Sequence, residues 1–543
     1  MTLSYRLTTF LQANPVYTVI VGVFAYAVIS NALRARFLNR NPKNLPRPPG
    51  PKGYPLIGNL FDMRKGGQPQ WVAYDEWFKK YGDMVYFELL GQPVLVLGSL
   101  KRTNDLFEKR SSNYSDRIRM PMVLELMQMD YNMAMLPYGQ WWRRHRRVFN
   151  EHFHHNTVWR YCPIQLREAR VLLFRLLVSP ENFLHHIRHS FAATIMSAAY
   201  GISVEDSGDP HITNAEKALA GLAAAGIPGS FLVDLIPALK YIPSWFPGAG
   251  FQQKAAEWRK VNNELAQKPF KQVEDEMQNG TALPSLAATL IERLPDKSHD
   301  LYAEERKIAE DVAAIAYIVQ AFFLAMALYP EVQKKAQAEL DAVIGGNRLP
   351  DFSDRESLPY INALLKESVR WYQVTPLAVG HMCSEDDEYD GYFIPRGTIV
   401  MGNAWSILHD PEVFSNPFEY NPDRYLKDGK LDPNARNPDC AAFGFGRRIC
   451  PGRHMSDNGL YSIVASVLSV FDIKAPVDDL GNPVELKQEF TTEPLLHFCG
   501  TVTCILMYWI VISVRYPVPF NCIIKPRGST AEALIREGIE VDH

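Results

Sequence analysis

The chain has 543 residues, 47% of them hydrophobic and 22% charged, with a formal net charge of −3. This balance excludes a disordered chain and gives no global reason to expect nucleic acid as a partner. Seven cysteines are scattered from Cys162 to Cys522 with no CxxC pair, which argues against a disulfide framework or zinc knuckle and for a reducing compartment.

The first predicted element is a membrane span. No charge occurs from Leu7 to Leu33, and the mostly apolar run Val16–Leu33 would form a helix of about 27 Å, near the thickness of a bilayer core. Arg34, Arg36, Arg40, Lys43 and Arg47 follow it, against Arg6 alone before it. The positive-inside rule then leaves the rest of the chain cytosolic. Residues 1–40 are therefore expected to be an uncleaved single-pass anchor. Residues 41–60 contain six prolines and are expected to be a stiff, non-helical hinge, leaving 61–543 as the main domain.

MVYFELL and PVLVLG read as a strand pair with Gly91-Gln92 at the turn. Longer helical patterns then dominate. In YGQWWRRHRR, Trp142 and Arg146 lie four apart on one helical face. The surrounding arginines could be solvated, form an anionic-lipid or nucleic-acid patch, or dock an acidic partner. His185 and His189 share the i, i+4 spacing, but without a third ligand they read as a polar helix face. Pro330–Ile344 and Pro359–Tyr372 read as helices, the first ended by Gly345-Gly346. Glu367 and Arg370 fall at i, i+3 on the second, a spacing that alone marks an ordinary solvated pair. Turns and short strands are expected over Asp386–Ile399, giving a mainly α domain with small β-sheets. No GxxxxGK[ST] or GxGxxG occurs, so a redox enzyme of this sequence would take its electrons from another protein.

FGFGRRICPG places Cys450 between a loop and a helix, with Pro451 expected in the first turn. A thiolate is a soft metal ligand that needs positive surroundings, which the helix N-terminus, the loop amides and Arg448 can supply. Gly446 permits a tight turn, Gly452 lets the backbone approach a flat ligand, and Phe443 can shield the sulfur. This setting suits a metal better than a structural thiol.

The spacing F-x-x-G-x-R-x-C-x-G from Phe443 to Gly452 resembles the haem-binding loop of the cytochrome P-450 family. Glu367-Ser-Val-Arg370 resembles the family's ExxR, and Arg424 in FEYNPDRY resembles the arginine that completes its buried network. The resemblance runs from the anchor to Pro526-Arg527 and is closest to fungal microsomal members. It implies the family's fold, haem b, Cys450 as the iron ligand, and Trp142, Arg146, His381 and Arg448 as propionate contacts. Glu367, Arg370 and Arg424 would support the fold. It further implies a monooxygenase in the endoplasmic reticulum membrane, acting on a hydrophobic small molecule. Electrons would come from an NADPH-dependent reductase, with cytochrome b5 as an optional second donor.

Two stretches depart from the family. Residues 310–330 contain no glycine, serine or threonine, where the family carries its proton-delivery motif, so no catalytic side chain is assigned. Residues 494–514 form an uncharged run that reads as an insertion within the C-terminal hairpin. Both departures are expected to be errors of gene structure, a lost exon piece and a retained intron. The distal defect leaves two alternatives to a monooxygenase: a haem-binding pseudoenzyme, or a haem-thiolate isomerase or dehydratase.

Overall fold

The computed structural model of this chain describes residues 41–55, 57–62, 68–89, 91–226, 230–313, 321–478, 484, 490–491, 516–517 and 520–540. The expected anchor and the 494–514 run lie outside these residues, as do positions 314–320 of the departing distal stretch. Among the described residues no helix is long and apolar enough to cross a membrane. Contacts divide the chain into two compact units interleaved along the sequence. One comprises Met1–Ile118, Gly380–Ser406 and Phe445–Arg447; the other comprises Arg119–Val379, Ile407–Gly444 and Arg448–His543.

The first unit is built on a small sheet. Helix α1 (Gln70–Tyr81) buries Trp71 and Tyr74, and strands β1 (Met84–Leu89) and β2 (Gln92–Leu97) pair antiparallel. Pairing of Leu89 with Gln92 puts Gln92 in β2, not in the turn as expected. Gly91 takes φ +79° in the turn, a conformation open to glycine. With β3 (Asp116–Arg117), β4 (His381–Met382) and β7 (Ile399–Gly402) the sheet order is β1-β2-β7-β4-β3, and β5 (Asp387–Tyr389) pairs with β6 (Tyr392–Ile394) beside it. The described part of the 41–60 hinge is free of helix, as its prolines dictate. It packs onto this unit. The Phe393 amide donates to Pro46 O at 2.9 Å, and the Arg47 guanidinium lies 4.9 Å from the Phe393 ring centroid.

The second unit is helical. Its longer helices are α2 (Gln140–Phe153), α3 (Cys162–Val178), α4 (Phe183–Tyr200), α5 (Pro210–Ala225), α6 (Gly250–Asn279), α7 (Tyr302–Ala313), α8 (Ala321–Leu328), α9 (Pro330–Ile344), α10 (Pro359–Trp371), α11 (Arg453–Val470) and α12 (Ser529–Glu540). The α9 pattern shows why the sequence folds here. Gln333, Ala336, Gln337 and Leu340 form one buried stripe at helical spacing, started by Pro330 and ended by Gly345 at φ +77°. Two glutamines on a buried stripe need partners. Gln333 exchanges bonds of 2.7 and 2.8 Å with the Ile473 backbone of β8 (Phe471–Lys474), which pairs with β9 (Ile523–Pro526). Glu339 caps the start of α10, accepting from the Tyr360 and Ile361 amides at 2.8 and 2.9 Å. Helix α10 is thereby fixed at the end that leads into Glu367 and Arg370.

Candidate functional site

Helix α11 and the loop before it present the cysteine. The helix begins at Arg453 with Gly452 as its N-cap, so Pro451 precedes the helix rather than occupying its first turn. Proline's fixed φ still steers the chain into the cap. The Cys450 amide donates to Phe443 O at 2.8 Å, closing the loop across its two ends. Phe443 thus contributes a backbone acceptor in addition to a half-buried ring.

Cys450 keeps accessible surface, yet protein packs round its sulfur closely enough that burial pushes the thiol up. A backbone hydrogen bond from Gly452 and the Arg146 and Arg453 charges pull it down without prevailing. The expected positive setting is present, but desolvation outweighs it.

Arg146 on α2 is the counterpart. Burial drives its guanidinium down to about 10, with Cys450 acting to raise it and Arg453 to lower it. No acidic side chain among the described residues pairs with Arg146, which is half-buried. Arg448 is held differently. Its Nη2 donates to Leu136 O at 2.8 Å, and its guanidinium carbon lies 4.3 Å from the Trp142 ring centroid. The second unit therefore brings Cys450, Gly452, Arg448, Trp142 and Arg146 into one neighbourhood.

His381 and Gly446 belong to the first unit. His381 is buried on β4 with Nδ1 2.6 Å from Tyr114 O, which assigns the proton to Nδ1, and its ring centroid lies 4.2 Å from that of Phe107. Gly446 adopts φ +58°, and a Cβ there would meet Phe107 O at 2.2 Å. Only glycine fits.

The Glu367 network lies within the second unit. Glu367 binds Arg370 bidentately at 2.7 and 2.8 Å and accepts from Arg424 Nε at 3.2 Å. Arg370 also donates to Leu408 O and Pro417 O at 2.9 and 2.8 Å. The solvated-pair reading of the i, i+3 spacing is thus wrong for this pair, because α10 is buried nearly all round.

Of the remaining arginines, Arg144 is engaged by Glu304 and Glu305 at 2.6 and 2.8 Å, whereas Arg143 and Arg147 are exposed. His189 is buried and faces Glu205 O at 2.8 Å, so the polar-face reading fails for it. Among the described residues no group of three metal-ligating side chains occurs away from this site. One residue escaped notice in the sequence: His145, buried with Asp311. Its signal was the stripe Trp142, His145, Phe149, hidden inside a run of charges.

A family model described as Cytochrome P-450 matches residues 48–499. The chain belongs to the cytochrome P-450 family. It is 46% identical over 531 residues to the cytochrome P-450 monooxygenase COX2 of Coprinopsis cinerea, covering 96% of this chain and 95% of that protein. It is 40% identical to cytochrome P-450 monooxygenase 98 of Postia placenta (97% and 98% covered). It is also 38% identical to a tryptamine 4-monooxygenase of Psilocybe cyanescens (94% and 96% covered). The mainly helical fold with small sheets is the cytochrome P-450 fold, the enzyme is a monooxygenase, and its cofactor is haem b.

The residues present fit that cofactor. Haem needs an axial donor, cations for two propionates and room beside the donor. Cys450 offers a sulfur, Arg146 a half-buried cation that no described carboxylate pairs, and Gly452 the room, since a Cβ there would meet only the Cys450 Sγ, at 3.9 Å.

Proposed function

We propose that Cys450 ligates haem iron in a membrane-anchored monooxygenase that places one oxygen atom of O2 on a hydrophobic small molecule. The observation that carries this is the Cys450 loop, closed by the Cys450 amide on Phe443 O at 2.8 Å, with the space a Cβ at Gly452 would occupy bounded only by the Cys450 Sγ, at 3.9 Å. Thiolate-ligated haem supplies dioxygen activation, the sulfur's electron density favouring O–O cleavage. The chain's own residues do the rest. Gly446 shapes the turn before Cys450, Arg448 fixes that loop to the Leu136 carbonyl, and Arg146, Trp142 and His381 would hold the propionates. The Glu367–Arg370–Arg424 network holds the segments that lead into the loop.

Electrons come from an NADPH-dependent reductase, because no nucleotide-binding motif occurs in the sequence. An endoplasmic reticulum membrane location follows from the apolar run Val16–Leu33 and the basic residues after it. A hydrophobic substrate suits the methionine-rich stretch Met120–Met135, in which Met120, Met122, Met127, Met129, Met133 and Met135 are all buried. The similar tryptamine 4-monooxygenase of Psilocybe cyanescens acts, by its name, on tryptamine. The relatives named above are all monooxygenases, which favours this reading over a pseudoenzyme or an isomerase.

Reconstitution with a fungal NADPH reductase under labelled dioxygen, against a panel of apolar aromatics and terpenoids, tests it. Incorporation of one labelled atom into a product is expected. Oxygen-independent isomerisation of a hydroperoxide, with no reductase-dependent product, would overturn it.

A further inference from the structure

His145 lies one residue before Arg146 and three after Trp142, inside the same helix, and is completely buried. Its Nε2 is 2.9 Å from Asp311 Oδ2 on α7, and its Nδ1 is 3.0 Å from Trp141 O. The other oxygen of Asp311, also fully buried, is ion-paired with Lys307 Nζ at 2.7 Å. A carboxylate and a carbonyl both accept, so the hydrogen-bond geometry is complete when both ring nitrogens carry a proton. The Trp141 ring closes over the imidazole edge-on, with centroids 4.6 Å apart.

A buried polar pair with both ends anchored costs far more to break than an exposed one. The contrast is available on the same two helices. Arg144 bridges α2 to Glu304 and Glu305 of α7 at the surface, where water and salt screen it. The His145–Asp311 strut instead resists rotation of α2 about its own axis, the motion that would swing Arg146 away from its station.

We infer that His145 is a positioning residue, which through Asp311 sets the rotation of α2 and so holds Arg146 and Trp142 in place for the cofactor. The inference rests on the haem reading of those two residues.

The test uses the full-length holoenzyme in detergent and reads the rate of haem transfer to excess apomyoglobin, with the thermal midpoint measured in parallel. His145→Gln and Asp311→Asn are expected to speed haem loss about tenfold, the scale of losing an orienting partner behind a cofactor contact. Asp311→Glu restores most of the retention, and Arg144→Gln, which cuts only the surface bridge, stays within about twofold of wild type. Combining His145→Gln with Arg146→Gln speeds loss by less than the product of the two single effects, since part of the strut's effect runs through Arg146. Unchanged haem loss in His145→Gln, or full additivity with Arg146→Gln, overturns the inference. Should His145→Gln fail to fold, the comparison of Asp311→Asn with Asp311→Glu decides, equal haem loss in the two contradicting it. A wild-type protein with a cooperative thermal transition but no Soret band would instead show that the haem reading itself has failed.

Discussion

Glu367 grips Arg370 through both carboxylate oxygens at 2.7 and 2.8 Å, with neither side chain exposed to solvent. Two charges so far from water hold only because every remaining group is matched. Arg370 reaches three further carbonyls, and the Asn421 amide donates to Glu367 Oε1 at 2.9 Å. Replacing Glu367 by Gln leaves the buried Arg370 charge uncompensated and is expected to cost about 3–5 kcal/mol. Urea unfolding of the purified variants checks this. Arg424→Lys should cost less, because Arg424 meets Glu367 through one bond of 3.2 Å and its other donors face partly exposed carbonyls.

Two glycines of the cysteine loop are expected to fail in different ways. Gly446→Ala forces a Cβ to within 2.2 Å of Phe107 O at φ +58°, a clash with backbone plus a strained conformation worth about 1–3 kcal/mol by itself. Its folded yield should fall. Gly452→Ala meets only the Cys450 Sγ at 3.9 Å, so the protein should fold with a near-wild-type thermal midpoint yet bind haem more weakly. Soret absorbance per folded protein separates the two outcomes.

Burial and the nearby Glu125 raise the Asp234 carboxyl from 3.8 to about 7, even though it accepts the Met122 amide at 2.9 Å. A raised folded value means that the native state binds more protons than the unfolded state between about pH 4 and pH 7. Stability from this group is therefore complete below pH 4 and declines as pH climbs through 7. Asp234→Asn keeps an acceptor for Met122 without the charge, and should flatten the fall of the thermal midpoint between pH 5 and pH 8 relative to wild type. An unchanged slope would rule the group out.

Much of this molecule could be read from the chain because its strongest patterns are local. Pro330 and Gly345 delimit α9 as expected, and the MVYFELL and PVLVLG runs form the first hairpin, with Gln92 in the strand rather than the turn. The spacing around Cys450 was legible because the chain must turn at Gly446 to bring the cysteine up to α11. What escaped depends on tertiary partners. Gln333 and Gln337 look like surface residues until β8 lies beside them, and His145 looks like one more charge until Asp311 meets it. Pro451 misled because a first-turn proline and one just ahead of the N-cap look alike in sequence. The helix-start rule also overrated the thiolate, since dipole and arginines are legible locally but the desolvation that opposes them is not.

The central claim is that the Cys450 sulfur binds iron. The carbon monoxide difference spectrum of the dithionite-reduced, full-length protein tests it directly, beside Cys450→Ser and Cys440→Ser. Wild type and Cys440→Ser should show the strongly red-shifted Soret band of a sulfur-ligated ferrous carbonyl, and Cys450→Ser should lose it while keeping its fold. A red-shifted band that survives in Cys450→Ser, or none in wild type given excess haem, would contradict the account.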